Sequence, residues 1–130
     1  MKFLFALIST LFFSCKKQDN SLVKILEPEI FNEKVVNNPD VQLIDVRTLE
    51  EVNEGYIANA VNVDFYADDF KEKLNGFDKT KPVAVYCKKG GRSGKAAKML
   101  TELGFKEIYD LKGGYTNWTD KKLPITKSSN

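Results

Sequence analysis

The chain has no histidine, two cysteines, one tryptophan and four prolines among its 130 residues. The absence of imidazole excludes a histidine-based zinc site and any Ser-His or Cys-His catalytic pair. Two cysteines are too few for a disulfide-rich scaffold. Sparse proline and the lack of a repeat period exclude collagenous and solenoid chains. Charge of one sign is not in excess: 20 Lys+Arg stand against 18 Asp+Glu, and the balance of +2 does not argue for nucleic acid. No metal ligand set and no cofactor motif is read from the chain. The groups left for chemistry are Cys, carboxylates, Lys, Arg, Tyr and backbone amides. A length of 130 residues suits one domain, and a hydrophobic share of 42% is enough to build its core.

The first residues read as an address. Lys2 gives a positive start, and Phe3 to Phe13 is apolar except for Ser9 and Thr10. A spanning helix needs about 17–25 residues, so this run is too short and fits the h-region of a secretory signal. It ends at Phe12-Phe13-Ser14-Cys15 and turns polar at Lys16. A small residue followed by Cys at that point resembles the lipobox of bacterial lipoprotein signals, with Phe12 where Leu is usual. The resemblance implies a signal over 1–14, lipidation of Cys15 and a solvated tether over 15–21. It also implies a lipid-anchored domain in the periplasm of a bacterial cell envelope.

From residue 22 the pattern alternates strands and helices. Strands are predicted over 22–26, 41–46, 60–63, 83–86 and 107–111. One helix runs from Pro28 to the turn cluster at Asn37, with Ile30, Phe31, Val35 and Val36 on one side. Thr48 with Glu51 three residues on forms a capping box for a short helix, and Gly55 is its C′ residue. Further helices are predicted over 68–74, 93–103 and 115–121. Strands separated by helices argue for an α/β fold with a mostly parallel sheet covered on both faces. Val83-Ala84-Val85-Tyr86 is short and apolar, as a buried central strand would be. Tyr86, Tyr109 and Tyr115 read as packing residues, and Gly113, Gly114 and Trp118 as turn and core.

Chemistry concentrates in Cys87-Lys88-Lys89-Gly90-Gly91-Arg92-Ser93. Ligand sites of open α/β sheets lie at the carboxyl ends of strands, so Cys87 is expected as an exposed nucleophile there. Gly90 and Gly91 let the loop curl with its N–H groups inward, as an anion nest. The following helix adds its positive end, and Lys88, Lys89 and Arg92 add formal charge. Helix N-termini and nearby cations bring a Cys from about 8.5 to roughly 3.5–7.5, so Cys87 is expected to be ionised at neutral pH. Asp45 and Arg47 leave two readings open. They lie either at the active-site rim or in the frame, with Arg47 paired to Glu51 and tying the short helix to the sheet.

The loop Cys87-x-x-Gly90-x-Arg92-Ser93 resembles that of rhodanese-like sulfurtransferases. Leu43-Ile44-Asp45-Val46-Arg47-Thr48-x-x-Glu51, Gly55-Tyr56-Ile57-x-x-Ala60-Val61-Asn62-Val63 and Leu111-x-Gly113-Gly114-x-x-x-Trp118 resemble three further segments of that family, in order. Tyr56 stands where the family often has His. The resemblance implies one rhodanese domain over 22–126 with a tail over 127–130, and a five-stranded sheet with helices on both faces. It implies that Cys87 carries sulfane sulfur as a persulfide between a small anionic donor such as thiosulfate and a thiol, cyanide or protein acceptor. The amides of 88–93 would stabilise the persulfide, and Lys88, Lys89 and Arg92 would attract anionic donors.

Two other classes stay in view. Low-molecular-weight and rhodanese-fold phosphatases space Cys and Arg by five residues to wrap a phosphate, and arsenate reduction is the related alternative. Here four residues, 88–91, separate Cys87 from Arg92 and make a smaller cradle. A non-enzymatic sulfur carrier or binding module serving a partner protein is the other alternative.

Overall fold

The computed structural model describes residues 22–129. The predicted signal, the Cys15 expected to carry lipid and the predicted tether up to Ser21 lie outside the described residues. Among the described residues no helix is long and apolar enough to cross a membrane.

Five strands form the sheet: β1 (Val23–Leu26), β2 (Gln42–Asp45), β3 (Val61–Asn62), β4 (Val83–Tyr86) and β5 (Ile108–Leu111). Their spatial order is β1-β5-β4-β2-β3, and every pairing is parallel. The helices are α1 (Pro28–Phe31), α2 (Leu49–Asn53), α3 (Phe70–Asn75), α4 (Gly91–Glu102) and α5 (Gly114–Asp120), with a π-helical segment at Asn32–Val36. β4 is central because all four of its side chains are buried and neither face carries a polar group that needs water.

Alternation along the strands divides the core into two layers. Val83, Val85 and Ile108 face α3 and α4, where they meet Phe70, Leu74, Ala96, Ala97 and Leu100. Ala84, Tyr86, Tyr109 and Leu111 face the other way, against Phe31, Val35 and Trp118. The Trp118 ring meets the Phe31 ring edge-on at 6.3 Å and 80°, a favoured aromatic geometry.

Three elements depart from the sequence reading. The first helix stays α-helical only to Phe31 and then widens, with Asn37 N–H donating to Asn32 O at 3.1 Å. Phe31 and Val35 remain inward at 0% and 2% exposure, whereas Ile30 lies outward at 42%. The third strand keeps only Val61–Asn62, because β3 is an edge strand with one neighbour. Helix α4 begins at Gly91, which places Arg92 and Ser93 in its first turn.

Candidate active site

Cys87 follows β4 directly, at the carboxyl end of the central strand. Gly90 then caps α4 with φ +111, a conformation open to glycine and strained for any side chain. This kink turns the chain back over the sulfur. The Gly90 N–H donates to Cys87 Sγ at 3.0 Å, and the thiol faces Ser93 Oγ at 3.6 Å. Ser93 Oγ donates to Gly90 O at 3.2 Å, which closes the turn. As first-turn residues, Gly91, Arg92 and Ser93 offer N–H groups that no helical carbonyl can satisfy.

The far wall is α5. The Tyr115 N–H donates to Cys87 O at 2.8 Å and the Thr116 N–H to Lys88 O at 3.0 Å. Gly114, at φ +63, permits this approach, since a Cβ there would lie 2.6 Å from Cys87 O and from the Lys88 carbonyl. The Gly113-Gly114 pair read as a turn is therefore also a wall of the site.

Cys87 is not the exposed nucleophile that the sequence led us to expect: the residue is 1% exposed. Its flank joins the layer of Val46, Val85 and Ala96, and the loop folds over the sulfur. Lys88 and Lys89 stand exposed on that loop. Beside Gly90 and Gly91 the space is open, with no atom within 4 Å of where a Cβ would be.

Arg92 and Glu51 form a forked ion pair, with Nη1 donating to Oε1 at 2.6 Å and Nη2 to Oε2 at 2.9 Å. The Arg92 hydrogen bonds lower the Glu51 carboxyl to about 2, and Thr48 adds to this. In return, the Glu51 hydrogen bond raises the guanidinium. The exposed Tyr66 ring lies 5.8 Å from the Arg92 guanidinium carbon. Thr48 and Glu51 make the expected capping box, so one carboxylate both caps α2 and anchors α4.

This geometry corrects the pairing of Arg47 with Glu51. The Glu51 carboxylate is engaged by Arg92, and Arg47 reaches only the Glu51 backbone carbonyl, at 3.4 Å. Arg47 instead donates to Asp45 through Nε at 3.0 Å and through Nη2 at 2.7 Å, and Nη2 also reaches Gly55 O at 2.7 Å. Its guanidinium carbon lies 4.1 Å from the Tyr115 ring centroid. Tyr86 OH completes the cluster by donating to Asp45 Oδ2 at 2.6 Å while accepting from the Ile57 N–H at 3.1 Å. Burial and the Asp45 charge hold the Tyr86 hydroxyl protonated far above its usual range. Asp45 and Arg47 are 1% and 2% exposed, so they are a buried strut behind the loop rather than an exposed rim. Tyr86 and Tyr115 belong to that strut as well as to the packing.

One buried acid near the loop drew no functional reading from the sequence. Asp110 on β5 is 5% exposed, and its Oδ1 has no hydrogen-bond partner. Burial raises this carboxyl to about 6, against the opposing hydrogen bond of Ser93. The signal lay in Ile108-Tyr109-Asp110-Leu111, where an acid interrupts an apolar strand.

Residues 27–121 match the model of the rhodanese-like domain. The chain belongs to this family. It is 40% identical over 86 residues to the thiosulfate sulfurtransferase GlpE of Coxiella burnetii, a match covering 65% of this chain and 78% of that one. The tRNA uridine(34) hydroxylase of Pelagibacter ubique is 38% identical over 94 residues, covering 72% of this chain. The match spans 31% of that longer relative's length. Among solved structures, the polysulfide-sulfur transferase homodimer of Wolinella succinogenes aligns with a TM-score of 0.69 and 33% identity. That alignment covers 84% of this chain and 82% of the other. The five-stranded all-parallel sheet with helices on both faces is thus the rhodanese fold.

Proposed function

We propose that the protein is a sulfurtransferase that carries sulfane sulfur on Cys87, from a donor such as thiosulfate to a thiol, cyanide or protein acceptor. The observation that carries this reading is the Cys87 sulfur at the end of β4, with the Gly90 N–H aimed at it from 3.0 Å. The sulfurtransferase names among its relatives support the same class. In the proposed step the Cys87 thiolate attacks the outer sulfur of thiosulfate. The S–S bond of the donor breaks, and sulfite leaves with the electron pair. Cys87 is left with a persulfide whose terminal sulfur is anionic. First-turn amides of α4 stabilise that charge in both the thiolate and the persulfide, with no base required. An acceptor nucleophile then takes the outer sulfur and returns the thiolate.

Because Cys87 is 1% exposed, the Lys88–Gly91 loop must shift for the donor to reach the sulfur. Lys88 and Lys89, exposed on that loop, draw anions towards it. The Nη1 and Nη2 of Arg92 are both turned to Glu51 rather than offered as a fork to a tetrahedral phosphoryl group, which favours sulfur over phosphate. The test is a panel of donors and acceptors with Cys87→Ala as control. Turnover of at least one pair, absent from the control, supports the reading; no turnover with any pair, or phosphatase turnover instead, overturns it.

The anchor is a separate proposal: lipid on Cys15 holds the domain at the periplasmic side of a bacterial envelope. Metabolic fatty-acid labelling of the full chain is expected to mark the wild type in the membrane fraction and leave Cys15→Ala unlabelled. Equal labelling of the two, or none in either, would refute it.

A further inference from the structure

Cyanide or a small thiol needs little beyond the sulfur itself, whereas a protein acceptor must seat its cysteine against the face around the Cys87 loop. Three features of that face exceed what a small acceptor needs. The first is an anchored aromatic ring. Tyr66 is 68% exposed, yet its ring stands on an aromatic column. It meets the Phe65 ring edge-on at 5.4 Å, and Phe65 meets the buried Phe70 at 5.1 Å. The Tyr66 N–H donates to Asp64 Oδ1 at 2.9 Å, which fixes the backbone as well. A ring held in this way can be covered at little cost in side-chain entropy. Its centroid lies 5.8 Å from the Arg92 guanidinium carbon, so it stands beside the first turn of α4.

The second feature is charge. Lys88 and Lys89 are exposed, and neither enters an ion pair among the described residues. Arg92, by contrast, is offset by Glu51. The third is open ground. Gly90 and Gly91 connect Lys89 to Arg92, and no atom lies within 4 Å of where a Cβ would be at either. A partner's main chain can therefore come close between the lysines and Tyr66.

We propose that Tyr66, Lys88 and Lys89 form the docking surface for a protein acceptor. The segment that fits carries acidic residues on one side of its cysteine and an aromatic or large apolar residue on the other. The acids meet Lys88 and Lys89, the apolar group covers Tyr66, and the cysteine lies over the glycines next to Cys87. Asp68, exposed two residues after Tyr66, disfavours acids at that end and so sets the orientation of the segment. This surface rests on the sulfurtransferase reading, whose acceptor it names. In the step, the acceptor thiolate attacks the outer sulfur of the Cys87 persulfide. The persulfide S–S bond breaks, Cys87 leaves as thiolate, and the acceptor keeps the sulfur as its own persulfide.

Recognition is tested without sulfur transfer. Blocked peptides are joined through their cysteine to thionitrobenzoate, and the full chain carries Cys15→Ala so that Cys87 is its one thiol. The Cys87 thiolate attacks the peptide sulfur, the peptide–thionitrobenzoate bond breaks, and the released thionitrobenzoate is followed by absorbance. The first peptide has two glutamates on one side of the cysteine and phenylalanine on the other, made in both orders, of which the faster is used. A second replaces the glutamates by lysines, and a third replaces phenylalanine by serine. At low salt the first peptide is expected to react about tenfold faster than the second. It is expected to react about fivefold faster than the third. Tyr66→Ala removes the phenylalanine advantage and keeps that of the glutamates, and Lys88→Ala with Lys89→Ala does the reverse. A general loss of folding does not produce that crossover. Equal rates for the three peptides, no reaction with any, or advantages that persist or vanish together in both variants would overturn the proposal. Failure of the thiosulfate-treated protein to pass sulfur to cyanide or to any peptide would sink the functional reading and leave the docking result standing.

Discussion

Replacing Arg47 by Met isolates the energetic role of the buried strut. Met keeps much of the length of the side chain and removes the charge. Asp45 then loses the Nε and Nη2 donors at 3.0 and 2.7 Å, and Gly55 O loses its donor at 2.7 Å. Tyr86 OH and the Arg47 backbone N–H still reach the carboxylate, at 2.6 and 3.0 Å, but neither carries positive charge. Stranding one partner of a buried pair costs about 3–5 kcal/mol. Small domains have only about 5–15 kcal/mol of stability in all, so the loss is a large share of it. In urea denaturation, with a slope of about 1.5 kcal/mol per M, the midpoint falls by about 2–3 M. Asp45→Leu added to Arg47→Met removes the stranded charge and recovers more than half of that loss. A fall below about 1 kcal/mol for the single variant, or a double variant no more stable than the single, would refute the strut.

Further expectations concern the other charges and the glycines. Glu51→Gln weakens the fork to Arg92 and lowers stability at pH 7 by about 1 kcal/mol, a figure discounted for partial exposure. Since Glu51 is lowered to about 2 from 4.5, that contribution is present above pH 4.5 and lost as pH falls towards 2. Urea titrations of both proteins across that window check it. Asp110 behaves in the opposite sense, because its folded value is raised to about 6 from 3.8. Asp110→Asn is as stable as the wild type below pH 4 and gains about 1–2 kcal/mol as pH rises past 6, read from thermal melts. Gly114→Ala would place a methyl 2.6 Å from Cys87 O and is expected to lose about 2 kcal/mol or more and to disrupt the loop. Gly91→Ala meets nothing within 4 Å and stays within about 0.5 kcal/mol of the wild type.

Local patterns in the chain led to much of this arrangement. Thr48 and Glu51 are three residues apart, and a capping box depends on little else. The apolar run Val83–Tyr86 marked the central strand, and the glycines after Cys87 marked the turn over the sulfur. Contacts between distant segments were less accessible. Glu51 and Arg92 are 41 residues apart, and their pairing needs the α2 and α4 ends to converge at the same sheet edge. That convergence left Arg47 to Asp45, two residues away on the same strand end. The burial of Cys87 has a similar origin: α5 packs its first amides on the loop through Gly114, a contact between residues far apart in sequence. The π-helical widening after Phe31 also escaped notice, since Phe31 and Val35 share a face in either helix type. Asp110 was visible as an acid in a strand, but its neighbour Ser93 comes from another element.

Intact-mass spectrometry of the full chain after exposure to thiosulfate tests the central claim most directly. The account predicts a product one sulfur atom heavier, with the added mass mapped to Cys87, reversed by cyanide and absent from Cys87→Ala. A mass unchanged by thiosulfate and by other sulfane donors, or sulfur mapped to any other residue, would contradict it.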